Sequence, residues 1–221
     1  MPTVLITGAN RGLGRGFAER FGEAGWRVIA TCRDPESAGL GGEVHALDVT
    51  SDSSVQSLAS ALQGEPIDLL LNNAGIYGPR DYGFGSIDYD AWAEVVAVDA
   101  LAPVRVAEAL SENVAASDRK LMVFISSMMG SIAQTGSGDS IIYRSAKACL
   151  NASVNVLANG LKSRGIACVL FHPGWVRTDM GGPSAAIDIT TSVRGMVNVI
   201  DRLTLEDSGR FINYDGFDIP W

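Results

Sequence analysis

The sequence is short of positive charge. Its 17 lysines and arginines stand against 25 aspartates and glutamates, giving a net charge of −8 and a pI near 4.7. A nucleic-acid partner would call for a basic patch, so none is expected. Cysteine is also scarce. Cys32, Cys149 and Cys168 form no metal-like cluster, so no metal is expected, and their odd number points to reduced thiols in a cytoplasmic protein. The two histidines, His45 and His172, sit in strand-like runs and read as ordinary core or strand-end residues. No apolar run reaches the length of a membrane span, so no membrane partner is expected. The N-terminus enters "PTVLITGANRGLG" without a charged leader and apolar block, so no signal peptide is expected. Repeats, low-complexity tracts and linkers are missing too. The 221 residues, 47% hydrophobic, are therefore expected to form one domain, 1–221, with a large core.

What is present is an alternation of short β-rich runs with helical patterns. "TVLIT", "WRVIAT", "VHALDV", "IDLLLNNAG", "KLMVFISS", "IACVLFHPG" and "GRFINYDG" read as seven strands in chain order. Phe17, Ala18, Phe21 and Ala24 carry helical spacing, and residues 88–114 read as one long helix in which Pro103 predicts a bend or local break. Near-continuous apolar strands separated by helices predict a parallel sheet covered on both faces, a doubly wound α/β fold of Rossmann type.

Two local patterns carry chemistry. The first strand ends in "TGANRGLG", where a glycine-rich turn into a helix lets backbone N–H groups approach a phosphate. The spacing is G-x-x-x-G-x-G, and its position after the first strand predicts dinucleotide binding. The second pattern is "IYRSAKA". Tyr143 and Lys147 lie four residues apart, on one face of a helix. A nearby ammonium favours the phenolate and would lower the Tyr143 pKa. A plain surface helix would show the same spacing.

At this point the sequence resembles the short-chain dehydrogenase/reductase family over essentially its whole length. The resemblance rests on "TGANRGLG", "LDVT", "NNAG", "ISS", "YRSAK" and "HPGWVRTDM" in that order. It is closest in flavour to the branch of C-factor-type signalling proteins and carbonyl-reductase-like enzymes. The resemblance implies a catalytic group of Ser127, Tyr143 and Lys147, with Tyr143 as acid in carbonyl reduction and base in alcohol oxidation. Ser126 is the alternative serine. It also implies a cofactor site drawn from Gly8, Asn10, Arg11, Gly12, Leu13, Gly14, Arg33, Asp48, Val49, Asn73, Ala74, Gly75, Tyr143, Lys147, Pro173, Gly174, Val176 and Thr178. Thr178 would contact the nicotinamide carboxamide or cap a helix. Tyr77, Met128, Trp175 and Met180 are either pocket walls or core, and the stretch from Thr178 to Ser192 is expected to be a small or mobile lid over an open pocket.

The chain departs from the family pattern in three places. Sixteen positions separate Ser127 from Tyr143, more than is usual, and the excess falls in the turn-rich "AQTGSGDS". Cys32 stands where an acidic residue would hold an NAD ribose, and Arg33 follows it. With Arg11, Arg33 would suit a 2′-phosphate, so NADP(H) is the expected cofactor; Asp34 lies one residue beyond the discriminating pair. Asp99 replaces the usual asparagine and is expected either to reach Lys147 or to face a polar or interface environment. The implied partner is a small carbonyl or alcohol substrate, and the two long apolar helices predict a homodimer or homotetramer. The alternative is a dinucleotide-binding signalling or regulatory protein with little turnover.

Overall fold

Thr3–Thr7 (β1) places five buried residues in a row, with Val4 and Ile6 pointing to one face of a sheet and Leu5 to the other. In this computed structural model, which describes residues 1–36 and 38–221, six further strands join it. They are Arg27–Cys32 (β2), Glu43–Ala46 (β3), Leu69–Asn72 (β4), Leu121–Ile125 (β5), Ala167–His172 (β6) and Phe211–Asn213 (β7). The sheet order is β3-β2-β1-β4-β5-β6-β7, and every pairing is parallel. The order reverses at β1, which opens a crevice beyond the carboxyl ends of β1 and β4. The expected doubly wound fold is what forms.

The helices cover both faces. Gly12–Glu23 (α1) and Ile189–Ile200 (α7) bury Phe17, Phe21, Val193 and Met196 against Val4 and Ile6. On the other side Asp52–Ala61 (α2), Ala102–Ala109 (α4) and Ile141–Leu161 (α6) pack Val55, Val106 and Val154 around Leu5 and Phe124. Each such side chain contributes roughly 1.5–3 kcal/mol by leaving water. Helices α2 and α7 have readable signals that the strand-centred pattern passes over. Ser51 and Asp188 cap them, each accepting the backbone N–H three residues on.

The long helix differs from expectation. Tyr89–Val96 (α3) runs into a π-turn at Ala97–Leu101, resumes as α4, and gives way to the short Ser111–Ala115 (α5). The irregularity lies ahead of Pro103, not at it. Pro103 has no N–H to offer the carbonyl four residues back, which belongs to Asp99. The widened turn absorbs that loss, with Ala102 N–H bonding back five residues to Ala97. Among the described residues, no helix is long and apolar enough to cross a membrane.

The glycine turn between β1 and α1 is locked from β4. The Thr7 hydroxyl accepts the N–H groups of Asn73 and Ala74 at 2.9 and 3.0 Å, while Asn73 Nδ2 donates to the carbonyls of Thr7 and Gly8 at 2.9 and 3.1 Å. Gly14 sits against this knot. A Cβ there would overlap the Gly8 carbonyl oxygen and lie 2.6 Å from Asn73 Nδ2, so backbone would have to move. Gly14→Ala should therefore cost at least about 2 kcal/mol, a fall in melting temperature of about 4–8 °C. Gly22→Ala, in the same helix with nothing within 4 Å of its Cβ, should be neutral or stabilise by up to about 1 kcal/mol. Thermal unfolding of both variants checks this; equal melting points would contradict the knot.

Candidate active site

Tyr143 and Lys147 occupy one face of α6, one turn apart, and both are buried, at 7% and 4% exposure. That face meets the carboxyl end of β5. Ser127, two residues beyond Ile125, takes an extended backbone conformation, and its hydroxyl hydrogen-bonds the Tyr143 phenol. Ser126 points elsewhere, its Oγ 2.5 Å from Asn151 Oδ1. Of the two serines, Ser127 is the one beside Tyr143. The extra residues before Tyr143 loop out into solvent, exposed from Ile132 to Asp139, and leave both side chains in place.

Lys147 is held on two sides. Its Nζ donates to the Ile125 carbonyl at 3.0 Å and lies 3.2 Å from Asp99 Oδ2. The second distance is that of an ion pair, but its direction is not that of a completed hydrogen bond. The other carboxylate oxygen of Asp99 accepts the Ile76 N–H at 2.8 Å. Asp99 is fully buried in the π-turn, and of its two expected environments it takes the one beside Lys147.

This pairing corrects one expectation. Tyr143 is held well above the ordinary phenol range, first by burial and next by the negative charge of Asp99. The Ser127 hydrogen bond and the Arg80 guanidinium pull it the other way. Lys147 Nζ stands 5.7 Å from the Tyr143 ring centroid, and its charge is matched by Asp99. The pull of the lysine is therefore offset by Asp99, and the net direction for Tyr143 is upward, opposite to what the spacing alone suggested. Burial raises the Asp99 carboxyl, and Lys147 and the Ile76 N–H draw it back.

The expected cofactor residues gather along the crevice. The N-terminus of α1 has no side-chain cap, unlike α2, α3 and α7, and no acidic residue in its first turn, unlike α2 and α3. Arg11 at its start is exposed, while Leu13 packs inward. A Cβ on Gly12, at φ +55°, would reach within 3.7 Å of Thr178, so turn and loop face each other across a narrow gap. Arg11 instead pairs with Asp179 at 2.7 Å, across that gap. Arg33 is exposed and near Asp48, whose carboxylate is held below its usual range by Thr50 first and Arg33 last. Val49 lies beside Thr7 and Asn72 near Pro103, and Gly75 faces Asp99.

The loop after β6 carries Pro173, Gly174 and Val176. It is pinned by a Val176–Ile187 bridge and by the Ser192 hydroxyl on the Pro173 carbonyl at 2.5 Å. The stretch after Thr178 is thus tied at both ends. No helix starts at Thr178; its hydroxyl accepts the Gly181 N–H at 3.1 Å and closes a turn. Met128 and Trp175 are exposed surface residues, at 40% and 57%. His45 pairs with Glu43 at 3.1 Å, and burial lowers His172 to about 4, with Asp215 opposing, so both are ordinary residues.

Sequence reasoning named Tyr77 as a pocket wall or core residue but passed over Arg80 and Asn151. Tyr77 stacks on Tyr143 with ring centroids 4.5 Å apart, and Arg80 lies 4.0 Å above the Tyr77 ring. The sequence signal for Arg80 is slight, a single arginine in the loop "YGPRDYGFG". Asn151, which turns Ser126 away, carried no signal beyond its place one turn after Lys147.

Comparison with known proteins places the fold. Residues 2–188 match the family model described as short chain dehydrogenase. The C-signal protein of Myxococcus xanthus is 42% identical over 156 residues, covering 71% of this chain and 93% of that protein. The solved carbonyl reductase Sniffer of D. melanogaster superposes with a TM-score of 0.94 at 29% identity, covering both chains fully. The NADPH-bound carbonyl reductase from chicken fatty liver gives 0.91 at 31% identity, covering 100% of this chain and 99% of the other. With its parallel seven-stranded sheet and the matched residues 2–188, this chain belongs to the short-chain dehydrogenase family.

Proposed function

We propose that residues 1–221 act as one NADP(H)-dependent oxidoreductase domain that interconverts a carbonyl and a secondary alcohol, with Tyr143 as acid and base. The observation that carries this reading is the buried Ser127–Tyr143–Lys147 group, in a fold whose first helix has an uncapped N-terminus after the glycine turn. That terminus fits a pyrophosphate, since its amides have no side-chain cap to satisfy them. Gly8, Gly12 and Gly14 would let the phosphates approach, and Lys147 would hold the nicotinamide ribose. Asp48 would meet the adenine and Thr178 the carboxamide. When bound, the nicotinamide supplies or accepts the hydride.

The side chains divide the remaining work. Ser127 holds the substrate oxygen beside the Tyr143 hydroxyl, which fixes the geometry of proton transfer. A raised Tyr143 stays protonated at neutral pH and is ready to donate to a carbonyl oxygen. Tyr143→Phe should lower kcat/KM for ketone reduction by about 10²–10⁴-fold while leaving NADPH affinity within about twofold. NADPH binding without Tyr143-dependent turnover on a panel of ketones, aldehydes and quinones would favour the second reading. In that reading the chain is a dinucleotide-binding signalling protein, as its likeness to C-signal suggests.

Arg33, solvent-exposed and without an ion-pair partner among the described residues, is the residue we assign to the 2′-phosphate. Arg11 can join it by exchanging its exposed, solvent-screened pair with Asp179. Arg33→Ala should narrow the preference for NADPH over NADH by about tenfold. An unchanged ratio of dissociation constants would overturn the assignment.

The pH dependence follows from Asp99. Its negative charge raises Tyr143, so Asp99→Asn removes that influence and the Tyr143 pKa falls. The deprotonated tyrosine needed for alcohol oxidation then appears at lower pH. The midpoint at which oxidation rises with pH should move down in Asp99→Asn; an unmoved or higher midpoint would refute the coupling.

A further inference from the structure

The mouth of the site carries a cation that the proposed chemistry does not use. Arg80 lies in the loop between β4 and α3, with its guanidinium carbon 4.0 Å above the Tyr77 ring, and that ring is stacked 4.5 Å from Tyr143. The Tyr77 hydroxyl, 2.9 Å from Ser140 Oγ, holds the middle ring in place. One Nη2 proton of Arg80 goes to the Met180 carbonyl at 2.5 Å, so the guanidinium bridges the loop after β4 and the loop after β6. A stacked guanidinium keeps its other N–H donors pointing outward in its own plane.

Acidic side chains do not claim it. Arg27, Arg105 and Arg164 each have a carboxylate within 3 Å, but among the described residues none lies within ion-pair distance of Arg80. The nearby acids are engaged elsewhere or stand apart. Asp179 holds Arg11, Asp139 holds Arg144 and Ser137, and the adjacent Asp81 is exposed. In a chain of net charge −8, an arginine left unmatched beside a buried tyrosine is an attractor for an anion. Its field already reaches Tyr143.

We propose that Arg80 is the specificity residue of this site, and that the substrate is a keto acid whose carboxylate, several bonds from the carbonyl, binds the guanidinium. The inference rests on the carbonyl chemistry proposed above for placing the reacting end beside Tyr143. The carbonyl carbon takes a hydride from NADPH and its oxygen takes the Tyr143 proton. The products are the hydroxy acid and NADP+, the phenol is reprotonated from solvent, and the carboxylate is unchanged. Bidentate, charge-assisted bonds to that carboxylate anchor the far end of the substrate.

The test uses three matched ketones, 4-acetylbenzoate, 4-acetylbenzamide and acetophenone, with the full chain and its cofactor. Dissociation constants are measured by calorimetry on the NADP+ complex, and KM and kcat by NADPH oxidation. Wild type should bind 4-acetylbenzoate at least about tenfold more tightly than either neutral ketone. Arg80→Gln should erase that preference, so that 4-acetylbenzoate binds no more tightly than acetophenone or 4-acetylbenzamide, and Arg80→Lys should restore part of it. Equal binding of the three ketones by wild type, or a preference that survives Arg80→Gln, overturns the proposal. Arg80-dependent binding of 4-acetylbenzoate without reduction of any ketone supports Arg80 as the anion site and overturns the carbonyl-reduction reading.

Discussion

The Lys147 ammonium has been taken out of water, and much of the site follows from that constraint. A buried charge is tolerable only when it is paired and hydrogen-bonded. Here Asp99 and the Ile125 carbonyl meet it, and Asp99 is fixed in turn by the Ile76 N–H. Two elements meet that nitrogen, the end of β5 and the π-turn between α3 and α4, and the segment after β4 holds the carboxylate. Removing Asp99 would leave a buried charge with no counterpart.

That same pairing changes the electrostatic character of the site. With a carboxylate 3.2 Å from the ammonium, the pair presents little net positive charge to Tyr143. The phenol then answers to its burial and to the carboxylate, and both keep its proton on. The remaining positive influence comes from outside the core, through Tyr77 from Arg80. Charge at the mouth and charge in the core thus oppose one another across a single aromatic ring.

The sequence carried the sheet well, because the central strands are apolar runs buried on both faces, with only the edge strand β3 partly exposed throughout. Thr3–Thr7 and Leu121–Ile125 are the plainest cases, buried at every position. Helices α2 and α7 were legible in principle through the Ser51 and Asp188 caps. The π-turn was not legible, since Pro103 announces a missing N–H without saying where the chain takes up the slack. Side-chain direction was the other limit. Spacing put Tyr143 and Lys147 on one face, but only three-dimensional packing could send Ser126 to Asn151, Asp99 to Lys147 and Arg11 to Asp179.

The exposed loop between Ser131 and α6 has a consequence for how the fold can be altered. Its two ends are anchored separately, Ser131 by the Pro220 carbonyl and Asp139 by Arg144 of α6, and Ala133 is tied to the Trp221 carbonyl. Chain entropy penalises added length between those anchors only logarithmically, at about 0.6 kcal/mol for each doubling. Gly136, with nothing within 4 Å of an added Cβ, is therefore a natural insertion point for a reporter or an affinity handle near Tyr143.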